Sequence, residues 1–524
     1  MTGAIPRLIE ELSRPGAYPF PVARVEIRQT HISVVFLAGD RAFKVKKPLR
    51  LDFLDYSTLA RRRHFCEEEV RLNGRRAPDV YRAVVPIVRV DGRLRFGGRG
   101  RAIEYAVEMR RLPDSTRLSE RVGAGGVTRD LAERLGRRVA SFHRDAERSR
   151  RIASFARFAA VAKNIRDNTR AAASMAGGAI SRRVLARLTK RGEVELKRLR
   201  PLIEARAKRG VPCDCHGDLR LEHVYHFPER PAPGDLIAID GIEFNERFRC
   251  IDPLSDMAFL RMDLIVHGHP DLAAAYTAAW FDASGDEEGR ALLPLYTSYR
   301  AAVRGKVQGM KAAQEEVPAP ERERARRRAA AFWLLALSML EPPERKPCLV
   351  LMAGLPGTGK STLARALARR AGFTVIRTDV VRKEMAGRAR RPGEDLYTEN
   401  RLREVYDETR HRAEAAIFEG RRVLVDASFH EEARRLEFKG AAGAWAVPFV
   451  ILHCVASPAM VRERLASRRA DASDADWAVY REMSWRWEAF GTPLRDPVVE
   501  VDTSRGSRNV TAGAIAALRA ALTV

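Results

Sequence analysis

Residues 348–371 read CLVLMAGLPGTGKSTLARALARRA: an unbroken apolar run, then a turn rich in glycine, then a helical segment. Within it, Gly354 to Ser361 fits the pattern G-x-x-x-x-G-K-[ST]. Glycines at these positions let backbone N–H groups turn inward around phosphates, and the following helix N-terminus adds positive potential. Lys360 is then placed to reach the β- and γ-phosphates, and Ser361 to ligate Mg²⁺. The expected nucleotide-binding residues are Gly354, Gly357, Thr358, Gly359, Lys360, Ser361 and Thr362, with ATP and Mg²⁺ as the expected cofactors.

Working outward, four more apolar segments follow at intervals filled by helical sequence: TVIRTD (374–379), RRVLVDAS (421–428), PFVILHCVAS (448–457) and PVVEVDTS (497–504). Such alternation predicts an α/β domain built on a parallel sheet covered on both faces. Asp379 and Asp426 close two of these segments, on the sheet edge where ligands bind in open α/β folds. For phosphoryl transfer one carboxylate accepts the proton of the attacking hydroxyl and the other holds the metal or its water. Asp379 is assigned as base and Asp426 to the metal; the competing reading is that either caps a helix. In VRERLASRR (461–469), Arg462, Arg464, Arg468 and Arg469 could fold over the triphosphate, with Arg464 and Arg468 as the catalytic candidates, or could form a solvated helix face.

Upstream, EPPERKP (341–347) interrupts the helical run AAAFWLLALSML, and proline cannot continue a helix. The expected division is therefore 1–343 and 346–524. The first part opens with the strand-like runs VARVEI, HISVVFLAG and RAFKVKK and a helical stretch over about 57–73. Residues 127–210 read as helical, with Leu131, Leu135 and Val139 on one face. VYHF and LIAID, joined by PERPAPGD, form a predicted hairpin, so this part is α+β. The hairpin brings Asp218, in CHGDLRLEHVY (215–225), to the same open end as Asp240. One carboxylate would orient a hydroxyl and the other would hold Mg²⁺.

The chain has 524 residues, 45% hydrophobic and 31% charged, which requires more than one core. No apolar run approaches the roughly 20 residues of a membrane span, and the first residues lack the apolar core of a signal peptide, so a cytoplasmic protein is expected. The six cysteines are scattered and read as reduced thiols; Cys213 and Cys215 form only a C-x-C pair, and no structural metal is expected. The formal charge of +26 would suit a polyanion, but the basic residues are spread along the chain without a nucleic-acid motif.

On GLPGTGKST, the aspartate in RTDVVR, the DASF segment and the arginine-rich run after the fourth strand, the last 175 or so residues resemble P-loop kinases of the zeta-toxin, polynucleotide-kinase and gluconate-kinase kind. HGDLRLEHV and IDGIEF make the first part similar to an aminoglycoside-phosphotransferase-type, protein-kinase-like fold. That resemblance implies Asp218 as catalytic aspartate, Asp240 as Mg²⁺ ligand, and Lys46 or its neighbour Lys44 as phosphate-binding lysine. It further implies an ion pair from that lysine to Glu67, Glu68 or Glu69, and a structural Asp256. His223 stands where the family has a metal-binding asparagine, and RQTHISVVF lacks the family's glycines. Imidazole is a poor Mg²⁺ ligand.

The combined expectation is an ATP- and Mg²⁺-dependent kinase acting on a hydroxyl of a small molecule or nucleotide. The alternatives are a nucleic-acid 5′-hydroxyl kinase, and a non-catalytic kinase-like sensor lobe coupled to a P-loop ATPase.

Overall fold

A computed structural model describes residues 4–51, 53–389, 398–467, 475–495 and 498–523. By packing, the chain divides into two compact units, one of residues 1–162, 199–264 and 269–293, the other of 163–198, 265–268 and 294–524. Among the described residues, no helix is long and apolar enough to cross a membrane.

In the first unit, β1 (Val25–Gln29), β2 (Ser33–Ala38) and β3 (Arg41–Lys46) precede helix α1 (Leu59–Gly74). β4 (Tyr81–Val90), β5 (Arg93–Phe96) and β6 (Ala102–Arg110) complete an antiparallel sheet in the order β1-β2-β3-β6-β4-β5. The sequence runs point to the first three strands only, because Pro86 and interspersed arginines obscure the alternation of the others. Side chains alternate across a strand, and β3 uses both faces: Phe43 and Val45 enter one apolar cluster, while Lys44 and Lys46 turn toward Glu69 on α1. Helix α1 starts where Thr58 Oγ1 accepts from the Arg61 N–H.

The helical part of this unit contains α2 (Arg129–Arg144) packed on α3 (Pro270–Ser284). They approach so closely that a Cβ on Gly136 would lie 2.4 Å from the Tyr276 carbonyl oxygen. The expected hairpin is β7 (Val224–His226) paired antiparallel with β8 (Leu236–Ala238).

The second unit holds all five expected C-terminal strands: β9 (Cys348–Ala353), β10 (Thr374–Arg377), β11 (Arg422–Asp426), β12 (Phe449–Val455) and β13 (Val498–Asp502). They form one parallel sheet in the order β10-β11-β9-β12-β13. β9 is central and buried along its whole length, which is why it reads as an unbroken apolar run. Helix α4 (Ala319–Leu340) ends just before the proline-rich break. Packing does not follow that break, however. Arg187 donates to Glu341 at 2.9 Å and to the carbonyls of Arg345 and Gly420, so residues 163–198 and 294–340 pack with the parallel-sheet region instead of with the first unit.

Candidate nucleotide site and a second carboxylate cluster

From β9 the chain passes through Gly354, Gly357 and Gly359, with φ of +140°, +78° and +87°, into helix α5 (Lys360–Ala371). These angles belong to glycine. At Gly354 space is decisive as well, since a Cβ there would lie 2.4 Å from the Cys454 carbonyl oxygen. The loop is braced from within and behind: Thr358 Oγ1 and Lys360 Nζ donate to the Leu355 carbonyl at 2.7 and 2.8 Å, and Thr503 Oγ1 donates to the Thr358 carbonyl at 2.8 Å. Thr362 lies in the first turn of α5.

The loop faces a cleft of about 1280 Å³, which brings Lys360, Ser361, Asp379, Asp426 and Arg464 onto one surface. Asp426 ends β11 as expected. Asp379 does not end a strand: β10 stops at Arg377, and Asp379 sits in the first turn of helix α6 (Thr378–Ala389) with Arg382 Nη2 donating to it at 3.0 Å. Burial raises the Asp379 pKa and the Asp426 charge adds to this, against the opposing pull of Arg382.

Arg464 lies on helix α9 (Pro458–Ala466), following α7 (Glu399–Phe418) and α8 (Glu432–Ala444). Its guanidinium donates to the Thr503 carbonyl at 2.8 Å and to Thr503 Oγ1 at 3.1 Å, so it ties α9 to the segment after β13. Arg462 lies over the Trp477 ring, 5.7 Å from its centroid. Arg468 and Arg469 lie outside the described residues.

Sequence reasoning missed Arg377. Its guanidinium bridges the metal-type donors, with Nη2 donating to Ser361 Oγ at 3.2 Å and Nε 3.3 Å from Asp426 Oδ2. The signal was available, since Arg377 precedes the quoted aspartate in TVIRTD. Ser428 of the DASF segment also lines the cleft, as do Tyr406, His430, Glu431 and Arg434, which no motif announced.

In the first unit the second cluster forms around β3, α1 and the hairpin. Lys44 Nζ donates to Glu69 Oε1 at 2.8 Å and pairs with Asp240; Lys46 Nζ donates to Glu69 Oε2 at 2.7 Å and pairs with Glu243. Glu69 is thus the α1 partner. Lys44, not the deeply buried Lys46, is the lysine beside Asp240, because the pleat carries position 46 one step further into the interior. Asp240 lies two residues beyond β8 with φ +64°, not at the strand's last position. Burial would raise its pKa, but Lys44 and then His223 outweigh that and hold it low.

Asp218 is held by Arg220, whose Nε and Nη2 donate to its two oxygens at 2.9 and 3.1 Å. His223 stands between the carboxylates, 3.6 Å from Asp218 Oδ2 and 3.7 Å from Asp240 Oδ2, while Nδ1 donates to the Asp218 carbonyl at 2.8 Å. Asp256 is buried and accepts from the N–H groups of His216 and Gly217 at 3.1 and 2.8 Å. It also lies within 4.8 Å of ligand atoms on His143 and Cys215, but His143 Nε2 already bonds Asp256 and its Nδ1 accepts from Trp280.

The parallel sheet and its glycine loop define a P-loop domain, and residues 349–489 match the family described as an AAA domain. The chain as a whole belongs to the family of the Mycobacterium tuberculosis protein Rv2004c, described as uncharacterized, with which it shares 32% identity over 477 residues, 90% of this chain and 92% of that protein. Part of the chain is also similar to a sugar kinase from Janibacter at 16% identity, covering 34% of this chain and 99% of that one with a TM-score of 0.27. For a gluconokinase from Sinorhizobium meliloti the figures are 20%, 33%, 93% and 0.25. At scores of that size these are likenesses alone.

Proposed function

We propose that the C-terminal unit is an ATP- and Mg²⁺-dependent phosphotransferase acting on a hydroxyl. The observation that carries this reading is the meeting of Lys360, Ser361, Asp379 and Asp426 on one cleft at the open edge of the sheet. Ser361 Oγ and Asp426 Oδ2 are oxygen donors close enough for one guanidinium to touch both, which fits a hard, oxygen-preferring cation in the place now spanned by Arg377. Bound there, Mg²⁺ would offset charge on the β- and γ-phosphates.

Asp379 takes the proton of the acceptor hydroxyl as its oxygen bonds to the γ-phosphorus. The bond to the bridging oxygen breaks with its electron pair, leaving ADP. A carboxylate with a raised pKa is the better base for a hydroxyl, and the buried position of Asp379 supplies that rise. Lys360 swings from the Leu355 carbonyl to the phosphates, and Arg464 braces the loop from behind.

A second reading concerns the first unit as a kinase-like lobe, with Asp218 in the catalytic place, Asp240 in the metal-binding place and Lys44 as the phosphate-facing lysine. The Lys44–Glu69 pair beside Asp240 favours it. The engagement of Asp218 by Arg220 and of Asp240 by Lys44 and His223 favours weak nucleotide binding there, hence a sensor role.

Lys360→Ala tests the first reading. Hydrogen bonds to charged groups contribute roughly 1.5–3 kcal/mol, so ATP affinity measured by calorimetry should fall about 10- to 100-fold with the thermal transition unchanged. Undiminished high-affinity binding would sink it.

A further inference from the structure

We infer that the acceptor taken by the C-terminal cleft carries no phosphate or carboxylate: it is an uncharged or cationic hydroxyl compound such as a sugar, polyol or amino sugar. This rests on the phosphotransferase reading and on the way charge is divided across the parallel sheet. β9 stands at the centre, with β12 and β13 on one side and β11 and β10 on the other.

From α9 and the segment following β13 the cleft receives Arg464, Arg505 and Arg508. Helix α5, which packs on the helix after β13 (Ser507–Ala521), adds Arg365, Arg369 and Arg370. Helix Trp477–Trp485 and the residue that follows it bring Glu482 and Arg486, which pair at 3.1 Å and add no net charge. This is the side suited to the triphosphate.

The β10–β11 side is different. Among the described residues, Asp379, Glu399, Asp426 and Glu431 face the same cleft, where Arg377 lies 3.3 Å from Asp426 and Arg382 and Arg434 stand beside the others. The latter two guanidiniums are already engaged, Arg382 with Asp379 at 3.0 Å and Arg434 with Glu437 at 3.1 Å and Glu431 at 3.5 Å. Arg434 also lies over the Tyr406 ring, 5.3 Å from its centroid, which holds it against the wall. An anionic acceptor would have to break these pairs and then sit beside Asp379 and Glu431. A hydroxyl compound breaks nothing: each OH can donate to a carboxylate and accept from a hydroxyl or guanidinium N–H. Ser428, whose Oγ lies 3.3 Å from His430 Nδ1, and Tyr406 add uncharged hydroxyls to this wall.

The test uses the full chain with Mg²⁺ and ATP labelled in the γ-position. The acceptors are neutral sugars and polyols, aminocyclitols, their carboxylate and phosphate counterparts, and 5′-hydroxyl oligonucleotides. ATP binding is followed in parallel by calorimetry. Transfer to neutral or cationic members should exceed that to the matched anions by about tenfold or more in kcat/KM. The KM of a neutral acceptor should stay flat between roughly 0.05 and 0.3 M salt, and that of a cationic one should rise as salt screens the carboxylates. Glu431→Gln, which removes one negative charge from this wall, should narrow the preference. A preference for anionic or oligonucleotide acceptors, an unchanged ratio in Glu431→Gln, or ATP binding without transfer to any neutral or cationic member would each overturn the inference. Failure to bind ATP at all would instead remove the reading beneath it.

Discussion

Asp379 carries two opposed demands in one carboxyl group. Its burial near Asp426 suits a base, and the same burial makes its charged form costly to the fold. Because its proton is held more tightly folded than unfolded, this group adds stability at low pH, and that contribution is lost as pH rises through the folded value. Asp379→Asn should therefore abolish most phosphoryl transfer while leaving the thermal midpoint at neutral pH equal to or above that of the parent. The rate profile of the parent should lose activity on the acid side at a higher pH than an ordinary carboxylate would give. Parallel melting curves and a pH–rate series check both, and a variant that melts well below the parent at neutral pH would contradict the assignment. In the first unit the comparable residue-scale finding is that, of Lys44 and Lys46, it is Lys44 that pairs with Asp240. Two lysines one pleat apart look alike in AFKVKK, and only depth distinguishes them.

At the scale of elements, the segment most open to test is the helix Arg182–Lys208, whose part within 163–198 belongs to the second unit. Arg187 reaches a buried carboxylate, Glu341, and two backbone carbonyls, while Arg191 Nε lies 3.1 Å from the other oxygen of Glu341. Truncating Arg187 leaves Arg191 to hold Glu341, so the loss should be that of a partly retained ionic network, about 1–3 kcal/mol. Arg187→Ala should lower the unfolding free energy of the C-terminal unit by that much without changing ATP affinity, read by denaturant unfolding and calorimetry on the full chain. A stability equal to the parent would mean that these helices are not part of the unit. Proline spacing marks where helix α4 stops but could not foresee this, because a break in the chain need not be a break in packing.

For the whole molecule the question is how many nucleotide sites it operates. The cluster around Asp240 is internally paired: Lys44 pairs with Asp240, and His223 lies 3.7 Å from its other oxygen. With Lys360→Ala weakening the C-terminal site, the part of the remaining Mg²⁺-dependent ATP turnover that belongs to the first unit should vanish in a further Asp240→Asn variant and fall strongly in Asp218→Asn. If the Lys360→Ala protein neither binds nor turns over ATP, the first unit acts as a sensor, and its catalytic assignment fails. The net charge of +26 does not decide between these outcomes, since it is a sum over the whole chain.

The sequence by itself determined the P-loop, the five parallel strands, the hairpin that brings Asp218 and Asp240 together, and the candidate residues on both. Each of these rests on local spacing: glycines where backbone must turn, apolar runs where a strand is buried on both faces, a short turn between paired strands. Tertiary structure alone decided which of the lysines faces Asp240, that Asp379 opens a helix instead of closing a strand, that Arg377 spans Ser361 and Asp426, and that the helices before the proline break pack with the P-loop region. These depend on side chains from distant segments meeting in space, and the chemistry of a residue does not reveal whom it will meet.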